Sequence, residues 1–289
     1  MNGPSRRQRL TRVGSSSFAG CERFEVTSSI VGQTYSIDLA RPLIPPPAGR
    51  SIPVIYVLDA NTLFFLTCQI ARLLETGAQN MLPAVVVGIG YPTEFSPKGN
   101  LIRRARRVMD LTPTDDSESV KRIFGGADGL PCSLTLRGGG STLFREFIKQ
   151  ELQPIIRSEM ETDNLDETLV GMSLGGLFAL ETLFRSPSMF RRWIAISPSV
   201  WWDGRVLLET EFKAPSWPGK PPLRVFLGVG GAEDSDMRLG ALELSERLRG
   251  RQHDGIDFEY REFPGENHQS TFPVAISHGL RWVFESQDQ

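Results

Sequence analysis

The chain reads as an α/β protein with a mostly parallel central sheet, antiparallel strands at its N-terminal edge and helices on both faces. Three observations predict this. Short continuous apolar runs recur at IPVIYVL (52–58), PAVVVGIG (83–90), ETLVGM (167–172) and LRVFLGVG (223–230), as strands buried on both faces require. Segments with helical apolar spacing separate those runs, and alternation of the two element types favours a parallel sheet with helical crossovers. Residues 22–30 and 33–41 instead alternate in polarity and are separated only by Val31 and Gly32, which predicts an antiparallel edge pair.

The elements follow in order. After the edge pair and the first buried strand comes NTLFFLTCQIARLLETG, a helix ending near Gly77. The strand 83–90 follows. Residues 91–140 are rich in Gly, Pro, Ser, Asp and Arg and show no long periodic element, so they are expected to form an irregular insertion or lid over the strand ends. A helix is predicted over 141–160 from Phe144, Ile148, Leu152 and Ile155, with a kink at Pro154. Then come the strand 167–172, the helix LGGLFALETLF, the strand RRWIAIS, the strand 223–230, a helix near 237–250, the strand FEYREF (258–263) and a last helix near 270–286.

Composition sets the outer limits. The 289 residues suit one large α/β domain over 22–289, and 40% hydrophobic residues supply a core. A net charge of −2 argues against a broad basic surface for nucleic acid. No apolar run approaches the roughly 20 residues that span a bilayer. Residues 1–21 hold no apolar signal core and are expected to be a disordered tail. Cys21, Cys68 and Cys132 are odd in number and widely spaced, with no metal-site pattern, so a reduced, cytoplasmic protein with no metal or organic cofactor is expected.

One stretch carries chemistry. In Gly171–Met172–Ser173–Leu174–Gly175 a serine sits between glycines at a strand-to-helix junction, the context in which G-x-S-x-G forms a nucleophile elbow. The bend strains the serine backbone and leaves no room for side chains two positions away. Gly176 allows the following helix to pack closely on the sheet. A serine hydroxyl needs a base, and the chain has three histidines. His253 lies in a polar connection and His278 in the last helix, where a structural role is expected. His268 follows the strand 258–263, and sites in such sheets form at the carboxyl ends of strands. The acid that orients the base should follow another strand end in the order Ser, acid, His. Glu233, Asp234 and Asp236 all satisfy that order. The oxyanion requires two backbone N–H donors: Leu174, and either Ala60 or Asn61 in the LDAN loop after the strand 52–58.

With these residues placed, the chain resembles the esterase D-like branch of the α/β-hydrolases, and within it the trilactone siderophore esterases, which open enterobactin- and bacillibactin-type lactones. The likeness runs over roughly residues 22–286 and rests on VIYVLDAN, GIGYP, DLTP, GGGSTLFREFIKQELQPII, GMSLGGLFALETLF, ISPSVWWDG, FLGVGGAED and FPGENHQSTFP. It implies an α/β-hydrolase fold and a serine hydrolase that cleaves ester or lactone bonds through an acyl-enzyme, with Ser173 as nucleophile and His268 as base. The family pattern V-G-x-x-E places the acid on Glu233. The LDAN loop matches an oxyanion loop usually written with glycine third, where this chain has Ala60, and Asn61 is expected as the second donor.

Two features are expected to read a small ester or lactone substrate. In RRARR (103–107), Arg103 and Arg107 are candidates to grip an anionic group, with at most one or two of the four arginines facing the site. Trp201 and Trp202, at another strand end, are candidates to line an acyl or aryl pocket. The rival readings are a carboxylesterase for another small acyl, aryl or polyketide ester, an acyltransferase of the same branch, and a non-catalytic binding protein on a hydrolase scaffold.

Overall fold

The computed structural model describes residues 11–15, 20–46, 51–76, 81–94, 96–125, 136–160, 162–217, 219, 221–251 and 255–285. Its strands are β1 (Thr11–Ser15), β2 (Cys21–Thr27), β3 (Thr34–Ala40), β4 (Ile52–Val57), β5 (Val85–Gly90), β6 (Thr162–Met172), β7 (Arg192–Ile196), β8 (Leu223–Gly230) and β9 (Ile256–Phe263). They form one nine-stranded sheet in the order β1-β2-β3-β5-β4-β6-β7-β8-β9. β1, β2 and β3 are antiparallel to their neighbours, and β4 through β9 run parallel to one another. The edge pair forms in the register Cys21↔Ala40 to Thr27↔Thr34. Its turn is closed by Gly32, whose φ of 72° suits a residue without a Cβ. The expected tail 1–21 is partly a strand, because β1 pairs along β2.

Alternate residues of the central strands feed two separate cores. Val54 and Tyr56 join the one that includes Phe144, Phe178 and Trp193, whereas Ile55 and Val57 join the one that includes Phe64, Phe272 and Ile276. Helix α1 (Ala60–Thr76) covers the second face, later joined there by the last helix. The segment 91–140 is not irregular throughout. It contains α2 (Pro97–Leu111) and α3 (Ser117–Phe124). Ser96 caps α2 by accepting from Gly99 N–H, Pro97 begins it, and Ala105, Val108 and Leu111 form its buried stripe. This stripe is narrow, and the four arginines of 103–107 that surround its first member mask the period.

The helix expected over 141–160 is α4 (Ser141–Phe147) and α5 (Gln153–Met160) joined by a π-turn, Ile148–Leu152. The irregularity at Pro154 is thus a widened turn ahead of the proline, whose missing N–H cannot serve an α-helical bond. α6 (Leu174–Arg185) follows β6 and is buried along nearly its whole length. α7 (Val206–Phe212), which the sequence reading missed, α8 (Ser235–Gly250) and α9 (Thr271–Phe284) complete the chain.

Candidate active site

The carboxyl ends of β4, β6, β7, β8 and β9 bring the candidate residues together. Ser173 follows β6 with φ 60° and ψ −119°, a strained conformation for a side-chain-bearing residue. The bend is held by Ser173 N–H to Ile196 O at 2.9 Å and Ser199 N–H to Ser173 O at 3.1 Å. A Cβ on Gly171 would lie 2.1 Å from Gly175 O, and one on Gly176 would lie 3.0 Å from Pro198 Cα. Gly175 is less confined, since its nearest neighbour would be Asp59 Oδ2 at 3.3 Å. The steric demand at the elbow therefore falls mainly on Gly171 and Gly176, where the sequence reading paired Gly171 with Gly175.

Ser173 and His268 line one cavity of about 280 Å³. Ser173 Oγ lies 3.4 Å from Ser199 Oγ, and among the described residues no hydrogen bond joins it to His268 in this conformation. His268 Nδ1 is 2.8 Å from Glu233 Oε2. The Glu233 side chain is fully buried, while that of His268 is 32% exposed. The other carboxylate oxygen accepts from Ser197 Oγ at 2.5 Å, Gly230 N–H at 2.8 Å and Thr271 Oγ1 at 3.3 Å. Burial alone would raise the Glu233 carboxyl. Hydrogen bonds from His268, Ser197 and Gly230 outweigh it and hold the group below the usual carboxylate range. An ionised Glu233 accepts from Nδ1–H, which leaves His268 Nε2 as the nitrogen with a free lone pair.

The three acids after β8 are separated by their partners. Only Glu233 meets His268. Asp234 caps α8 by accepting from Met237 N–H at 3.0 Å, and Asp236 pairs with Arg122 at 2.8 Å. His278 Nδ1 faces Arg261 at 2.6 Å; burial and the arginines Arg281 and Arg261 push its pKa down, which fits the structural role expected. His253 and Cys132 lie outside the described residues.

Leu174 is the first residue of α6, and Ala60 and Asn61 are the first two of α1, so their N–H groups have no intrahelical acceptors. Both helix starts meet near Ser173, with Asp59 between them in a strained backbone of φ 55°. The Asn61 side chain is committed elsewhere: it accepts from Tyr91 N–H at 2.8 Å and donates to Tyr91 O at 2.9 Å. Only its backbone is free to act. Arg107 Nε pairs with Asp59 at 2.6 Å, and its Nη2 donates to Met172 O at 3.2 Å, which ties the start of α1 to the residue before the nucleophile.

Arg103, Arg104 and Arg107 all line the cavity, one more than the sequence reading allowed. Arg106 points the other way, over Tyr35 and Tyr91. Trp201 and Trp202 do not line it. Trp202 is fully buried and donates to Thr114 Oγ1 at 3.0 Å, and Trp201 donates to Met237 Sδ and stacks on Arg122 at 4.2 Å. Their expected pocket role is corrected: the indoles anchor the 112–122 segment to the strand ends. Ser197, Ser199, Thr271, Asp59 and Asn100 were missed. ISPS stood in the sequence, but nothing in its spacing tells which serine reaches an acid.

A mostly parallel sheet, a strained serine between a strand and a helix, and a histidine–carboxylate pair on neighbouring strand ends define an α/β-hydrolase of the serine hydrolase class. Residues 135–283 match the family model Esterase, described as "Putative esterase". The chain is 35% identical to the ferri-bacillibactin esterase BesA of Bacillus subtilis, over 91% of this chain and 89% of that one. It is 31% identical to the siderophore triacetylfusarinine C esterase of Aspergillus fumigatus, over 88% and 90% of the two chains. The crystal structure of the BES protein from Bacillus cereus superposes with a TM-score of 0.79 at 34% identity, covering 94% of this chain and 99% of that one. The chain belongs to this esterase family, as its resemblance in sequence implied, and is a serine ester hydrolase.

Proposed function

We propose that this esterase hydrolyses the ester bonds of a siderophore lactone through an acyl-enzyme, with Ser173 as nucleophile, His268 as general base and Glu233 as the orienting acid. The observation that carries the reading is the convergence of Ser173 and the Glu233-bonded His268 on one cavity. Ser173 Oγ turns from Ser199 toward His268 Nε2, gives up its proton and attacks the ester carbonyl. Catalytic hydrogen bonds commonly tighten only once substrate is bound. Leu174 and Asn61 N–H groups take the oxyanion, reinforced by the positive ends of α6 and α1. His268 returns the proton to the leaving alcohol, and water activated by the same nitrogen releases the acid.

The siderophore class is supported by the named activities of the relatives and by charge. Arg107 is neutralised by Asp59, but Arg103 and Arg104 meet no carboxylate among the described residues, so the cavity favours an anionic substrate such as a catecholate or its ferric complex. Iron in that case is cargo of the substrate. Mass spectrometry of products from a trilactone and a set of linear esters tests the reading. Stepwise addition of water to the trilactone is expected. A trilactone left intact while aryl acetates are consumed overturns the substrate class, and transfer of the acyl group to added glycerol in preference to water overturns hydrolysis.

A further inference from the structure

We propose that a second cavity beside the catalytic one is a substrate subsite for a non-scissile arm of a multi-armed ester; the inference rests on the ester-hydrolase reading above. The catalytic cavity, about 280 Å³, is at the lower edge of the roughly 300–1,000 Å³ typical of sites that enclose a whole small-molecule ligand. The adjoining cavity is twice as large, about 560 Å³, and shares Asn61, Asn100 and Arg103 with it.

The shared wall has a fixed part and a soft part. Asn61 is pinned by its two bonds to the Tyr91 backbone, and a Cβ on Gly90 would strike its Oδ1 at 2.8 Å. Among the described residues Arg103 is held by exposed side chains, Asn100 Oδ1 at 2.6 Å and Thr62 Oγ1 at 3.3 Å. That bridge can open and re-form around a ligand that passes from one cavity into the other. The chemistry of the second cavity sets the class of arm. Arg23 is already matched by Asp38 at 2.7 Å, and Ser96 Oγ is engaged by Gly99 N–H at 3.0 Å. Arg103, shared by the two cavities, and Glu94, which lines the second, are left to meet the ligand, one donating to an oxygen and one accepting from a hydroxyl. A polar arm carrying hydroxyl groups fits both.

The test fills the second cavity from two exposed or half-exposed positions, in separate variants Thr93→Trp and Glu94→Trp. The readout is the ratio of kcat/KM for a trilactone to kcat/KM for an aryl acetate. The subsite predicts that this ratio falls about tenfold or more, the scale of a lost group-sized contact, in both variants. A ratio unchanged from wild type in both, whether or not the separate rates move, overturns it. Should the wild-type enzyme act on the aryl acetate and not on the trilactone, the siderophore reading fails by itself. The same ratio is then read for glycerol tribenzoate against ethyl benzoate, which share one acyl group and differ in the number of arms, with the same two outcomes.

Discussion

Replacing Glu233 by glutamine separates the acid from its two exposed neighbours and tests the electrostatics of the site. The carboxylate is surrounded by donors: His268 Nδ1 at 2.8 Å on one oxygen, and Ser197 Oγ, Gly230 N–H and Thr271 Oγ1 on the other. An amide must point its NH₂ at one of these sets. Facing His268, it forces the imidazole into the tautomer with Nε2–H, which cannot accept the Ser173 proton. Facing Gly230 N–H, it sets donor against donor in a fully buried place. The first outcome predicts a fall in kcat of about 10³–10⁴, the scale of a wrong-tautomer substitution in serine hydrolases, or roughly 4–5.5 kcal/mol of barrier. The second predicts a stability loss of about 1–3 kcal/mol. Steady-state hydrolysis of a chromogenic ester, with denaturant unfolding of the same samples, reads both. Asp234→Asn and Asp236→Asn serve as controls and should retain kcat within about threefold, as exposed substitutions away from the base commonly do. A Glu233→Gln enzyme with near-wild-type kcat, or an Asp236→Asn enzyme that has lost it, refutes the assignment.

Further predictions concern the elbow, the cavity and a buried acid. Gly171→Ala puts a methyl 2.1 Å from Gly175 O and should cost more than about 3 kcal/mol, whereas Gly175→Ala, 3.3 Å from a side-chain oxygen, should cost about 1 kcal/mol; denaturant midpoints check the order. Arg103→Ala should raise KM for an anionic aryl ester about tenfold relative to a neutral one of the same size, with the gap shrinking as salt is added. Asp110 is pushed up to about 6 by burial, against the opposing hydrogen bond from Tyr35 and the nearby Arg106. The native state then keeps a proton that the unfolded chain releases. The stability this group contributes is complete below its unfolded value near 3.8 and is lost as pH rises through 6, on the order of 3 kcal/mol in all. Unfolding free energies from pH 4 to 8 should show that slope, and Asp110→Asn should flatten it.

Much of the site was legible because its residues mark their own positions. Ser173 carries its glycines beside it, and His268 stands in the short loop after the strand 258–263, so strand ends alone brought both to one rim. Choosing Glu233 over Asp234 needed the family pattern, since three acids within four residues share the same order. α2 was hidden because arginine is both a good helix former and a mask for apolar period: Ala105, Val108 and Leu111 are a thin stripe among charges. Trp201 and Trp202 were misplaced because large rings at a strand end suit a pocket and a buried anchor equally well. Which use they serve depends on Thr114, Arg122 and Met237, all distant in the chain. Ser197 was invisible for a similar reason. Its contact with Glu233 exists only because β7 and β8 are neighbours in register.

The account stands on a Ser173 hydroxyl activated by the His268 imidazole. Rapid mixing with a chromogenic ester, followed by peptide mass spectrometry of the quenched enzyme, measures this directly. The prediction is a burst of one acyl group per chain attached to Ser173, abolished in His268→Ala. A burst of equal rate in His268→Ala, or an acyl group carried by a different residue, would contradict it.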